Sequence, residues 1–451
     1  MKIKRSLLVT AGAALGYYGW KKLIEPSLPI ITGYAAKSLC SQLFVTKLPI
    51  EKILQEDLGF FPVNLVEMDV NMEKKMVTAS IMGKHTRTAI YREGLGTMLH
   101  HTVLSERLPE MPSQPLGELS LNGDAQPIET QNYELRLALN NAFRKRSKLH
   151  PAKTRAVVVV HKGKVIAEQY ADGITPATRL LGWSMTKSII SALAGILNKQ
   201  GKLNLDDRVP LNAWKHTHKD AITWRNMLQM TSGLDWLENY TSPSRVNRML
   251  FENENMARFA LRQPLKYTPG SYWRYSSGDT NILSYLLAQY FDSLEDYWRF
   301  PYEELFNKLG LDSMFLETDA GGHFVGSSYA YATARDWAKF GQLYLNKGKW
   351  EGAEILTEDW VDFTREPAPG SGGNYGAHFW LNRGGAMPDL PEDAYFCDGY
   401  QGQRIFIIPS EDLVIVRLGV TYRKNGFDFN KWVRSIIDAV NVKKVDEVSV
   451  S

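Results

Sequence analysis

The sequence predicts an α+β fold, an antiparallel sheet flanked by helices, with a hydrophobic segment at its N-terminus. Two observations carry the sheet. Strand-like hairpins stand near residue 160 and near residue 410, on either side of a helix-rich middle. Such terminal strands pair with each other across the domain, and pairs of this kind are antiparallel. A third observation carries the helices: apolar residues recur at four-residue spacing, as in Ile189, Leu193 and Leu197.

In chain order, the first element is "MKIKRSLLVTAGAALGYYGWKKL", a basic start followed by 14 charge-free residues from Leu7 to Trp20. That run fits a signal-peptide core better than a full span, which needs about 20 apolar residues. Lys21 and Lys22 follow at once, and the nearest small-x-small site is Gly33-Tyr34-Ala35. An uncleaved anchor in residues 1–30 is therefore favoured over a cleaved leader or a first helix of the soluble fold. Membrane association through residues 1–22 is the expectation. Basic residues on both sides leave its orientation open.

Residues 31–125 read as an accessory region and linker. "VNLVEMDV", "KKMVTASIMG" and "RTAIYREGLG" alternate like three short strands, and "ERLPEMPSQPLGELSLNGDAQP" has linker composition. Beyond it Leu135, Leu139 and Ala142 share a helix face. "AVVVVHKGKVIAEQYADG" makes two strands around His161-Lys162-Gly163. "RIFIIP" and "LVIVRLGV" flank Ser410-Glu411-Asp412 as another hairpin. A last helix sets Trp432, Ile436 and Val440 on one face.

Composition excludes several functions. Hydrophobic residues at 44% and charged ones at 23% rule out wholesale disorder. The net charge of +4 is held by the first 30 residues, where Lys2, Lys4, Arg5, Lys21 and Lys22 face Glu25 alone. The other 421 carry 48 basic and 48 acidic side chains. Nucleic-acid binding needs a basic surface that such a body lacks. Cys40 and Cys397 form no framework and read as free thiols. His216-Thr217-His218 reads as a solvated loop, and no metal or cofactor is expected.

"LGWSMTKSII" carries the chemistry. Ser184 sits in the first turn of a helix that Gly201 stops, and Lys187 lies one turn on along the same face. A serine hydroxyl is a poor nucleophile until a base takes its proton. A lysine serves as that base when burial lowers its pKa, and Leu180, Leu181, Trp183 and Ile189 are apolar surroundings. Alone, such a pair is more often a helix cap beside a surface lysine. Two further stretches change the weighing: "PGSYWRYSSGDTNILSYLL", with Tyr275-Ser276-Ser277, and "CDGYQGQRIFIIPSEDLVIV", with Gly399 and Gly402 at a strand start.

Together these three stretches resemble the serine penicillin-recognising family: class C β-lactamases, D-alanyl-D-alanine peptidases and related esterases. The resemblance spans most of residues 150–440. It includes "GKLNLDDRVP", "ITWRNMLQMTSGLDW" and "YAYATARDWAKFGQLYLNKGKWEGAEIL". In wording it is closest to the 6-aminohexanoate-dimer hydrolase branch. It implies a β-lactamase/transpeptidase-like domain over residues 126–445 with a helical lobe at about 205–320. It also implies Ser184 as nucleophile, Lys187 as base, Tyr275 as proton carrier to the leaving group and Ser277 in support. Aligning Cys397-Asp398-Gly399 with the family's K-T-G strand implies an oxyanion hole from the N–H groups of Ser184 and Tyr400. A thiol and an acid then replace the family's cation. Asp398 is expected to repel a substrate carboxylate, so a small ester or short amide is favoured over a β-lactam.

D-alanyl-D-alanine peptidase or β-lactamase activity is the alternative, and a non-catalytic cell-surface binding protein on the same fold is the alternative of another class. An α/β-hydrolase with His323 or His378 as base is disfavoured, because no G-x-S-x-G occurs. Met185, Met227 and Met230 read as core, Tyr272, Trp273 and Trp380 as packing more often than pocket, and Arg335 and Asp336 as structural. A membrane-anchored or exported protein is expected, with a bacterial inner membrane or periplasm favoured.

Overall fold

The computed structural model of the chain describes residues 2–3, 25–100, 110–113, 116, 125–144, 152–421 and 426–442. The apolar run Leu7–Trp20 and most of the expected linker lie outside the described residues. Among the described residues no helix is long and apolar enough to cross a membrane.

An antiparallel sheet forms the accessory region, in the order β1 (Lys2–Ile3), β2 (Glu67–Asn71), β3 (Met76–Ile81), β4 (Lys84–Arg92), β5 (Gly96–His100). Three strands were expected between residues 60 and 103, and four are present. The one missed, β5, has its first four residues buried, so it lacks the alternation that identifies a half-exposed strand. By contrast β3 buries every second residue, the signature of a sheet with one covered face. A helix over Leu28–Ser41 covers that sheet and is buried on nearly every side. It is wedged against the body of the fold so closely that a Cβ at Gly33 would stand 2.1 Å from the Phe251 carbonyl oxygen. One continuous apolar core therefore runs through accessory region and body.

The hairpin of β6 (Lys153–His161) and β7 (Lys164–Tyr170) turns at Lys162 and Gly163, with φ of 51° and 71°. Both central residues of such a two-residue turn need positive φ, and glycine meets that need without strain. Short strands β8 (Leu180–Leu181), β9 (Phe315–Leu316) and β10 (Ala330–Ala332) form a ribbon, and β11 (Lys349–Trp350) pairs with β12 (Ala353–Glu354). The remaining strands complete the central sheet, in the order β13 (Trp380–Leu381), β14 (Tyr395–Gly399), β15 (Gln403–Ile408), β16 (Leu413–Val420), β6, β7. The expected pairing of the late hairpin with the early one is present, from Leu413↔His161 to Val420↔Lys153, with a register shift between Leu418 and Gly419.

Helices cover both faces of this sheet. Val157 and Val159 of β6 face the helices Tyr133–Phe143 and Phe429–Asn441, whereas Ala156, Val158 and Val160 face the nucleophile side. The two outer helices are tied by hydrogen bonds from Trp432 Nε1 to the Ala138 carbonyl (3.0 Å) and from Asn132 Nδ2 to the Ala439 carbonyl (2.7 Å). Between β8 and β9 the chain forms the helices Thr186–Lys199, Arg245–Glu252 and Ser277–Ala288 among others. The turn after Ser184 belongs to the first of these and Ser277 begins the third, so the cleft between sheet and helices collects the chemical residues.

Candidate active site

Ser184 lies in a 3₁₀ turn, Trp183–Met185, and the α-helix starts at Thr186. The hydroxyl is thus one turn ahead of the helix rather than in its first turn, and it still shares a face with Lys187. Trp183 has φ of 49°, a backbone region that non-glycine residues seldom occupy. The neighbours hold it there: Thr186 Oγ1 donates to the Trp183 carbonyl (2.6 Å), and Gly182 N donates to Ala330 of β10 (2.8 Å). As expected, Gly201 ends the helix with φ of 70°.

Lys187 is fully buried, and its nitrogen meets three oxygens. Ser184 Oγ is at 3.0 Å, Ser277 Oγ at 3.0 Å and the Ser327 carbonyl at 2.9 Å. None is a carboxylate. Burial lowers its pKa to about 8, against the opposing fields of Glu238 and Asp398. Half-buried Ser184 is accessible from the cleft.

Tyr275 sits beneath the amine, its ring centre 4.9 Å from Nζ. Burial raises this phenol well above its ordinary value, so it holds its proton at neutral pH. Ser277 donates from Oγ to Glu238 Oε1 (2.5 Å) and from its backbone N–H to Oε2 (3.0 Å). Sequence reasoning missed Glu238, which stands two residues beyond the family-like stretch that ends at Trp236. A carboxylate among Trp236, Leu237 and Tyr240 was the available signal.

The third motif needs a correction. Asp398 was expected to face the substrate. Instead it shares the sheet face of Phe396 and Phe406, opposite Arg404 in register, and forms an ion pair with Arg404. The Arg404 guanidinium lies over Phe396, Phe406 and Phe429, the side covered by the C-terminal helix. Alternation along a strand is the reason: Cys397 faces the nucleophile helix, so its neighbour must face away. Burial pushes the Cys397 thiol up to about 12, and it stays neutral. Gly399 abuts the nucleophile turn, since a Cβ there would stand 2.1 Å from the Gly182 carbonyl oxygen. Tyr400 follows with its ring stacked on Tyr240 (4.7 Å) and edge-on to Trp183 (5.5 Å). The strand end therefore delivers Gly399 and Tyr400 beside Ser184. Buried Arg417 of β16 holds this turn by donating to the carbonyls of Gly402 (2.8 Å) and Gln401 (3.4 Å).

Other residues sort as follows. His378 is buried, with Nδ1 2.7 Å from the Leu228 carbonyl and Nε2 2.9 Å from Thr280 Oγ1. Burial depresses its pKa to about 3. His323 sits beside Asp319. Neither is hydrogen-bonded to Ser184, whose neighbours are Lys187 and Tyr275. His216 and His218 are exposed, and no metal-binding cluster occurs among the described residues. Both cysteines are free and buried. Met185, Met227 and Met230 are core. Arg335 pairs with Glu168, and Asp336 accepts from Ser313. Trp380 packs on Tyr275 (5.4 Å) and on Trp273, whereas Tyr272 stacks on Tyr267. One neighbour came from an unexpected place: Tyr34 of the accessory helix lies parallel to Trp183, the residue before the nucleophile.

Comparison with known proteins places this geometry. The beta-lactamase family matches residues 139–436. The 6-aminohexanoate-dimer hydrolase of Paenarthrobacter ureafaciens is 25% identical over 368 residues, covering 74% of this chain and 85% of that protein. Among solved structures, a Bacillus anthracis protein assigned as a 6-aminohexanoate-dimer hydrolase superposes with a TM-score of 0.57. It is 21% identical and covers 74% of this chain and 87% of its own. A family VIII carboxylesterase gives 0.52 at 15% identity, with 70% of this chain and 98% of its own covered. At these identities the structural likenesses establish the shared fold.

Proposed function

Because the chain belongs to the beta-lactamase family, we propose that it is a serine hydrolase that cleaves a small ester or short linear amide through an acyl-enzyme on Ser184. One observation carries the reading: Lys187, buried and without a carboxylate partner, stands 3.0 Å from the Ser184 hydroxyl and 4.9 Å from the centre of the Tyr275 ring. With its pKa near 8, a usable fraction of Lys187 is free amine at neutral pH. The amine takes the Ser184 proton as Oγ attacks the carbonyl carbon. The N–H groups of Ser184 and Tyr400 receive the developing oxyanion. Tyr275 gives its proton to the departing alkoxide or amine and regains one from Lys187. Water then attacks the acyl-enzyme with the same groups in reverse.

The resemblance to 6-aminohexanoate-dimer hydrolase favours a short linear amide, and that to carboxylesterases an ester. At the third motif a neutral thiol stands where the resemblance expects a cation, so a substrate carboxylate finds no positive partner from β14. D-alanyl-D-alanine peptidase and β-lactamase activities are disfavoured on that ground, not through repulsion by Asp398. Purified protein assayed on ester, short-amide and β-lactam panels tests this, and fastest turnover of a β-lactam contradicts it. A covalent serine-hydrolase probe separates the enzyme from a binding protein on the same fold, which it leaves unlabelled. We also propose that residues 1–22 associate the protein with a membrane, with a bacterial inner membrane or periplasm as its location. Deleting residues 1–25 is then expected to release active protein from the membrane fraction; an inactive product would mean that more of this segment than β1 belongs to the fold.

A further inference from the structure

The hydrogen-bond polarity around Lys187 is determined by groups that cannot reverse. The Ser327 carbonyl can only accept, so it takes one N–H of the lysine. Ser277 Oγ lies 2.5 Å from Glu238 Oε1, and a carboxylate can only accept, so the Ser277 proton points to Glu238. The Ser277 oxygen is therefore left as an acceptor and takes a second N–H from Lys187 (3.0 Å). A neutral amine has two N–H bonds and one lone pair. Both N–H bonds are now committed, and the third direction leads to Ser184 Oγ.

We propose that Glu238 is a positioning residue: by orienting the Ser277 hydroxyl it aims the Lys187 lone pair at Ser184. This rests on the reading of Ser184 and Lys187 as nucleophile and base. Glu238 is itself held by four donors. Trp236 Nε1 (2.6 Å) and Ser277 N (3.0 Å) lie on Oε2, and Tyr240 OH (3.0 Å) joins Ser277 Oγ on Oε1. The two on Oε2 are N–H groups that cannot become acceptors. This asymmetry makes the isosteric variant informative. In Glu238→Gln the amide oxygen must face the two N–H groups, so the NH₂ faces the hydroxyls. Ser277 then accepts from Gln, and its own proton turns toward Lys187, where it occupies the lone pair that Ser184 needs.

The test is the pH profile of kcat/KM on a p-nitrophenyl ester. The titratable groups around Lys187 are Glu238, Tyr275 and neutral His378 within the cleft, with the field of Asp398 reaching it from the far face of the sheet. Removing the Glu238 charge moves the acidic limb to lower pH, because that carboxylate favours the ammonium form. A change of charge alone stops there. The positioning role adds a fall of about 10²-fold in the high-pH plateau, the scale of general-base catalysis. It also predicts suppression: Ser277→Ala in the Glu238→Gln background removes the misdirected proton and restores roughly tenfold of the plateau. A structural role never predicts that a second deletion raises the rate. An unchanged plateau in Glu238→Gln, or no recovery in the double variant, overturns the proposal. Should Glu238→Gln not fold, as judged by its thermal transition, Ser277→Ala alone decides. Its plateau should fall about tenfold, and an unchanged one overturns the relay. Fluorophosphonate labelling of the wild type keeps the premise separate. If Ser184 is not labelled, the hydrolase reading itself fails, whatever the Glu238 variants do.

Discussion

Among the described residues two lysines are buried, one in the cleft beside Ser184 and one at the joint with the accessory region, and they are solvated in opposite ways. Lys187 meets two serine hydroxyls and a carbonyl. Lys37, on the helix Leu28–Ser41, forms an ion pair with fully buried Glu317 and lies 3.8 Å from the centre of the Tyr329 ring. Glu317 also accepts from Ser41 Oγ (2.9 Å), from Thr97 N (2.8 Å) and from Tyr331 OH (3.2 Å). Burial lowers the pKa of both amines, and at Lys37 the adjacent carboxylate opposes that fall. Context gives one kind of side chain two environments. A buried amine with a counterion joins two parts of the fold, and one with neutral partners suits the role of base that we propose for Lys187.

The largest effect is expected at the group the cleft lysine serves. Ser184→Ala should cost on the order of 10⁶ in turnover and abolish labelling, with the thermal transition unchanged. Near-normal rates would remove the cleft side of the comparison altogether.

Next come reciprocal substitutions of the two lysines. Lys187→Met should lose about 10²–10⁴ in kcat/KM while leaving the denaturation midpoint level or higher, since it removes a buried amine that lacks a counterion. Lys187→Arg should lose nearly as much activity, because a guanidinium does not give up its proton. Lys37→Met should do the reverse. It strands the Glu317 charge and costs about 3–5 kcal/mol of stability, with ester hydrolysis by the folded protein within about threefold of wild type. Adding Glu317→Gln should recover part of that stability. Paired urea denaturation and rate measurements check both, and a lysine that lowers rate and stability together breaks the distinction.

A smaller effect lies in pH. The free amine is the active form of Lys187, so kcat/KM should climb through about pH 8 and level off above it. Between about pH 8 and 10.5 the unfolded chain binds the Lys187 proton and the folded one does not. Stability should therefore rise with pH in that window, by at most roughly 1.4 kcal/mol per pH unit. Urea denaturation across the window should show a shallower rise in Lys187→Met than in wild type.

The smallest effect is expected at Asp398. Its pairing with Arg404 on the far face of the sheet predicts that Asp398→Asn changes ester hydrolysis by less than about threefold. A large change would return this acid to the cleft.

Wherever the information is local, this protein was legible in its residues. Apolar runs on either side of turn-forming residues located β6, β7, β15 and β16, and four-residue periodicity located the helix after Ser184, because each pattern reports residues buried against something. The Ser-x-x-Lys spacing put nucleophile and amine on one face without any knowledge of what lay opposite. Tyr275 and Ser277 were legible through a motif, which compresses a three-dimensional neighbourhood into words. Partners distant in the chain became visible only in the folded molecule. Glu238 reaches Ser277 39 positions away and Lys37 reaches Glu317 across 280, and neither pairing leaves a periodic trace. The face of Asp398 was misjudged for the same reason: a strand's alternation tells that neighbours point apart, but only packing tells which side is the cleft. Burial, charge balance and hydrogen-bond polarity belong to the assembled neighbourhood, and they are what separate a buried lysine suited to act as a base from one that joins two parts of the fold.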